Sequence, residues 1–312
     1  MFSTLARIAL STALVLSASA CNSDSSAPAG AKTGASDGPD KALMTSVELA
    51  KRSDIAGLLQ HTLPPTDFER IKTEWQNQSA EEPVTDEDRQ KFAEMMGKLT
   101  AADAENALFA EYEADLKQFD AQYQQQMPMM IAMGRGYVQA AIAQSSDLSA
   151  NEKEHANNAI NALAGWVEST RFTDPELVKK AIAVVCRTAR ELDLHTLDEV
   201  RGLSFDQSAP KLQIAVNGLK QVFDVYGFSI NDTLASVKAE TLSNDGNTAQ
   251  VKTSYTLLGT PLQTTTEMLK IDQRWYSKST IQQLKEAEAK ARQADATDAT
   301  DATDAEDAED AG

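Results

Sequence analysis

The densest unusual set of side chains in this sequence is Met127-Pro128-Met129-Met130 followed by Met133. Thioethers are soft ligands suited to Cu(I), and on a helix Met129 and Met133, or Met130 and Met133, share a face. Methionine is equally the adaptable filler of helical cores. No histidine or cysteine stands beside the cluster, so core packing is the preferred reading and a copper site the alternative. Cys186 follows Ala181-Ile182-Ala183-Val184-Val185, an apolar setting in which a thiolate is disfavoured; a buried thiol is expected there. His61, His155 and His195 are scattered, and none stands in a ligand spacing. HExxH, paired CxxC, GxSxG, the phosphate loop and GxGxxG are all missing from the sequence. Asp86-Glu87-Asp88 and Glu152-Lys153-Glu154 look like paired acids, but each falls in the first turn of an expected helix, where carboxylates favour the positive end of the dipole. Trp275 and Tyr276, with Tyr255, either line the mouth of a cavity for an apolar ligand or complete the core, and the core is preferred. Arg135, between Gly134 and Gly136 in an apolar run, either marks a pocket or partner or is satisfied by a nearby carbonyl or carboxylate. The run Met127 to Ala143 as a whole is read as core. No catalytic, cofactor-binding or metal-ligating residue is assigned from these patterns.

The elements that position these residues change character along the chain. From about 40 to 205 the pattern is helical and repeatedly capped. Thr85 with Asp88, Ser149 with Glu152, Thr173 with Glu176 and Thr196 with Glu199 each set a hydroxyl before a helix and a carboxylate at its third position. Leu177, Val178, Ile182, Val185 and Cys186 fall on one helical face, as do Phe109, Tyr112, Leu116, Phe119 and Tyr123. A last long helix, about 207 to 226, is expected to end at Gly227. Strands follow over 234–242 and 248–258, flanking the turn Ser243-Asn244-Asp245-Gly246-Asn247. In the second, Ala249, Val251, Thr253, Tyr255 and Leu257 alternate with polar residues, so one face is buried and one wet. A strand over 262–271 and a short one from Arg274 complete an antiparallel three- to four-stranded meander, expected to pack on the preceding helix. A helix followed by such a meander, with Ile271-Asp272-Gln273-Arg274-Trp275-Tyr276, resembles the cone-shaped α+β domains related to nuclear transport factor two, which often show Asp-Gly-x-Trp there. That resemblance implies the fold of this part only, since the family includes enzymes and binding modules. Gln273 stands where those domains have glycine, so a positive-φ turn is expected to be strained at this position.

The N-terminus carries Arg7 and then an uncharged, mostly apolar stretch from Ile8 to Ala18, the layout of an export signal and too short to span a bilayer. Leu16-Ser17-Ala18-Ser19-Ala20-Cys21 resembles the processing site of bacterial lipoproteins. The resemblance implies that the chain is cut before Cys21 and that Cys21 is acylated. Asn22, rather than aspartate, follows it, which in that family implies the outer membrane, periplasmic face. Ordinary secretion after Ala20 is the alternative. The chain has 2 cysteines, so with Cys21 lipidated only Cys186 remains and no intrachain disulfide is expected. The net charge of -18 repels nucleic acid and anionic head groups.

The organisation expected is therefore a signal over 1–20, a flexible Ser-, Ala- and Gly-rich tether over 21–39, a helical region over 40–205, an α+β module over 206–284 and an acidic, low-complexity, disordered tail over 285–312. The fold class is mainly α with a C-terminal α+β module. The expected role is non-catalytic binding in the cell envelope. Partners would be the bilayer through Cys21 and an envelope protein or small apolar ligand, with no cofactor and no nucleic acid. The alternatives are a small enzyme with its site in a cavity of the C-terminal module, and a Met-rich copper-binding lipoprotein.

Overall fold

The computed structural model describes residues 38–81, 83–146 and 148–289. The expected signal, Cys21, nearly all of the expected tether and the part of the expected tail from 290 on lie outside the described residues, while 285–289, expected to be disordered, are helical. The helices are α1 (Pro39–Lys51), α2 (Ile55–Thr62), α3 (Pro65–Glu81), α4 (Asp86–Thr100), α5 (Ala104–Gln144), α6 (Ala150–Ser169), α7 (Pro175–Leu192), α8 (Leu197–Gly202), α9 (Phe205–Val225) and α10 (Ile230–Ala235). Strands β1 (Lys238–Asn244), β2 (Thr248–Leu257), β3 (Thr260–Ile271) and β4 (Arg274–Ser277) form one antiparallel meander in the order β1-β2-β3-β4. A helix over 278–289, α11, follows directly. The chain is mainly helical with a C-terminal α+β module.

Local chemistry accounts for most boundaries. Thr85 with Asp88 and Ser149 with Glu152 form reciprocal capping boxes at α4 and α6, and Ser204 with Gln207 forms a third at α9; each satisfies two backbone donors that a helix start leaves open. Two expected starts differ. At α7 the cap is Asp174, whose carboxylate accepts from the Glu176 and Leu177 amides, while the Thr173 hydroxyl donates to Asp120. At α8 the Thr196 hydroxyl accepts from the Glu199 amide, but the Glu199 carboxylate accepts from the His195 amide, one residue further out. Gly227, at φ +80°, ends α9: its amide donates to Asp224 and that of Phe228 to Phe223, the paired closing bonds of a left-handed C-terminal cap. The expected strand start at Leu234 is corrected. Ser229 caps α10 through the Asp232 amide, and extended pairing begins only at Lys238.

Alternation in β2 is as expected, with Ala249, Val251, Thr253, Tyr255 and Leu257 all buried. The helices that supply most of the cover on this face are not α9, the long helix expected to do so. Ala42 and Leu43 of α1 pack on Ala249, Val251, Met268 and Trp275, and Ala159, Ala162 and Leu163 of α6 pack on Tyr255, Leu257 and Leu262. On the opposite face, at the β4 end, Tyr276 joins Leu63, Phe68, Ile71, Phe205, Ile281 and Leu284. Elements from both sides of residue 205 thus share cores, because a sheet with one apolar face and a few short helices cannot separately bury what each exposes. Helix α7 buries Val184, Cys186 and Ala189 and turns Val185 outward, a correction to the face expected from spacing.

Candidate functional site

Helix α5 has 41 residues and is about 60 Å long at 1.5 Å per residue, so no single neighbour covers it. Its first half lies against α7. Glu105 makes two hydrogen bonds with the Arg190 guanidinium, at 2.6 and 3.0 Å, which hold its carboxyl down to about 2. Asp120 accepts two from Arg171, and Lys179 Nζ sits 4.8 Å from the Phe109 ring centre. Phe109 and Leu116 are half-buried, whereas Tyr112 and Phe119 are exposed; the Tyr123 side chain lies outside the described residues. The second half lies against α6. Arg135 reaches Glu168 at 3.8 Å, Gln139 donates to Asn161 at 3.1 Å, and Lys153 donates to the Ala143 carbonyl at 2.9 Å. Arg135 is therefore balanced by a carboxylate, from the neighbouring helix.

These contacts use the side of α5 that carries Met127, Ile131, Arg135, Gln139 and Ile142, all half-buried. The other side faces solvent, with Met129 69%, Met130 60%, Met133 65% and Tyr137 78% exposed, and Ala132, Gly136 and Ala140 exposed among them. The reading of this run as core is corrected: one side is half-buried against the neighbouring helix and the other is exposed. Met129 and Met133 do share a face, as the spacing requires. Arg135 is the only charged residue between Asp120 and Asp147, and it is turned to α6. The result is an uncharged, largely apolar face of a kind that marks interaction sites on soluble proteins.

A second feature lies between α6 and the sheet. Asn151, Glu154, His155 and Asn158, on one face of α6, meet Lys252, Ser254, Leu262, Gln263 and Thr264 around a groove of about 540 Å³. Strand β4 pairs with β3 only over 268–271, so the β3 backbone before Met268 is a strand edge on that side. His155 Nε2 lies 2.8 Å from the Tyr255 hydroxyl, and burial pushes the imidazole down from its ordinary value, with Glu152 pulling the other way. The groove therefore combines a neutral imidazole tied to a phenol with one carboxylate and one amine at its rim. Nearby on the buried face, Thr253 Oγ1 has no hydrogen-bond partner among the described residues.

In comparison with family models, curated proteins and solved structures, no match to this chain was found.

The remaining residues of chemical interest are held apart. Cys186 is buried, and burial pushes its thiol up. His61 Nε2 donates to the Ala42 carbonyl at 2.8 Å, and His195 is exposed beside Asp193 and Glu199. A shallow cavity of about 380 Å³ near His195 is lined by Met96, Ala189 and Arg190, but Arg190 is already committed to Glu105. Among the described residues no group of three or more His, Cys, Asp or Glu is placed to hold a metal ion. Trp275, Tyr276 and Tyr255 are buried in three different clusters, so they complete the core and line no common cavity. Asp86, Glu87 and Asp88 act at the start of α4, with Glu87 paired to Lys91 at 2.6 Å and Asp86 to Arg89 at 3.1 Å. Spacing singled out Met129, Met130 and Met133. It passed over Tyr137 and the small residues between them, and the i, i+3, i+4, i+7 set on α6 that frames His155, although that set was visible as a polar stripe.

Proposed function

We propose that this chain is an outer-membrane lipoprotein of the periplasmic face whose folded part works by binding rather than by catalysis, presenting the exposed side of α5 to a protein partner. The observation that carries the reading is that face: four large apolar side chains stand out of a well-capped fold with no charge among them. Leaving them in water forgoes roughly 25 cal/mol for each Å² that a partner would cover. Acylated Cys21 and the tether would keep this surface close to the bilayer, since two or three acyl chains anchor far more firmly than one. No helix among the described residues is long and apolar enough to cross a membrane.

Two measurements test the two parts of the reading. Intact mass spectrometry of the protein extracted from its native host should give the mass of a chain beginning at an acylated Cys21, and Cys21→Ser should release it from membranes; an unmodified wild-type chain would remove the anchor. A photo-reactive amino acid at Met130, on the exposed side of α5, should yield a protein adduct of one defined mass in intact cells, while the same group at the solvent-facing Glu87 yields none. No adduct at Met130 would remove the docking face.

A further inference from the structure

We propose that the occupant of this face is a second copy of the same chain, with the two α5 helices antiparallel across a twofold axis; this rests on the docking reading above and gives it a partner. The exposed stripe runs Met129, Ala132, Met133, Gly136, Tyr137, Ala140, one face of a helix at i, i+3, i+4, i+7, i+8 and i+11. Its pattern of large and small residues is self-complementary when reversed. Turned about the point between Gly134 and Arg135, Met129 meets Ala140, Met133 meets Gly136 and Tyr137 meets Ala132. Every large side chain then faces a small one, the arrangement that lets two helices approach closely and interdigitate. A parallel pairing in register would set Met129 on Met129 and Tyr137 on Tyr137, leaving the small positions as gaps. A twofold contact requires that what residue i does to j, j does to i, and this stripe meets that condition without help from any other surface.

The energetics are compatible with a specific, reversible dimer. Burying Met129, Met133 and Tyr137, with Met130 at the edge of the stripe, and the backbone of the small residues removes roughly 500–700 Å² from each copy, near the lower end of specific interfaces. No charge is stranded, because Arg135 already faces Glu168 and Gln139 faces Asn161 on the opposite side. A bilayer is the poorer fit. Interfacial helices flank their apolar face with Lys and Arg, whereas this face has none and the chain carries a net charge of -18. That same charge makes two copies repel at long range, so added salt should strengthen the dimer. Confinement to one membrane surface raises the effective concentration, and a dissociation constant in the micromolar range suffices there.

The test is sedimentation velocity on the full mature chain bearing Cys21→Ser, in reductant, from about 1 to 200 µM at low and high salt. The expected result is a monomer–dimer equilibrium that shifts toward dimer in 0.5 M NaCl, weakened at least tenfold by Met133→Glu. Gly136→Met should abolish it by setting Met against Met. Exchanging the two residues, Met133→Gly with Gly136→Met, should restore it, because the pair still meets across the axis; unchanged circular dichroism separates these effects from misfolding. A chain that stays monomeric throughout, or a dimer indifferent to Met133→Glu and to the exchange, overturns the proposal. If that monomer still gives a Met130 photo-adduct of another mass, the docking reading stands and only the second copy falls; without an adduct both fall. Met133-dependent co-sedimentation of the monomer with phosphatidylethanolamine–phosphatidylglycerol vesicles assigns the face to the bilayer and likewise overturns it.

Discussion

His61 and His155 each have a ring half taken out of water and a partner that accepts or offers one hydrogen bond. Burial is the largest influence on both and pushes both down from the ordinary value; for His61 the Ala42 carbonyl pulls up and the charge of Arg274 pushes down again. A base that is harder to protonate when folded binds fewer protons in the native state than in the unfolded one. Stability therefore rises with pH across the interval between the folded and unfolded values. This contribution is fully present above about 6.5, the unperturbed imidazole value, and is lost as the pH falls below it. Urea midpoints measured from pH 7.5 to 5 should decline toward acid, and His61→Gln should flatten the decline; parallel curves for the two proteins would contradict the assignment. Neither histidine could be given this role from its position in the sequence, since the Ala42 carbonyl and Tyr255 come from distant stretches of chain.

At the scale of elements, the β3–β4 turn shows a local code meeting its exception. Asp272 and Gln273 have φ of +48° and +65°, a two-residue turn with both central residues left-handed. Glycine reaches that region without a Cβ clash, while other residues lose roughly 1 kcal/mol or more. Gln273→Gly should raise the melting temperature by about 2–4 °C for a chain of this size, read by thermal circular dichroism, whereas Gln273→Ala should bring no gain. The strain was visible beforehand, because Gln273 occupies the place where a turn of this shape asks for glycine. Capping boxes at Thr85 and Ser149 were equally visible, each involving only residues three apart. The start of α7 was not: Asp120, from α5, draws off the Thr173 hydroxyl, and Asp174 caps instead.

For the whole molecule, Tyr276 is the point where the C-terminal sheet meets helices from the start and middle of the chain. It is buried with Leu63 from the end of α2, Phe68 and Ile71 from α3, Phe205 from α9 and Ile281 and Leu284 from α11, while Arg274 on the same strand donates to the Gln60 and His61 carbonyls. Tyr276→Ala should cost about 3–5 kcal/mol, as large-to-small changes of aromatic core residues do, and should lower helical and aromatic circular-dichroism signals in one shared transition. Two separated transitions in the wild type would show that the sheet and helices are less coupled than these contacts require. By itself the sequence determined the capping boxes of α4 and α6, the closing glycine of α9, the turn between β1 and β2 and the alternating face of β2, because each depends on neighbours within a few residues. The tertiary structure alone decided that α1 and α6 cover the sheet, that Trp275 and Tyr276 are core on opposite sides of one strand, and that the methionine run of α5 is packed on one side and open on the other. An apolar side chain records that burial is favourable but not which surface will supply it, and only the three-dimensional arrangement of the other helices leaves Met129, Met133 and Tyr137 without one.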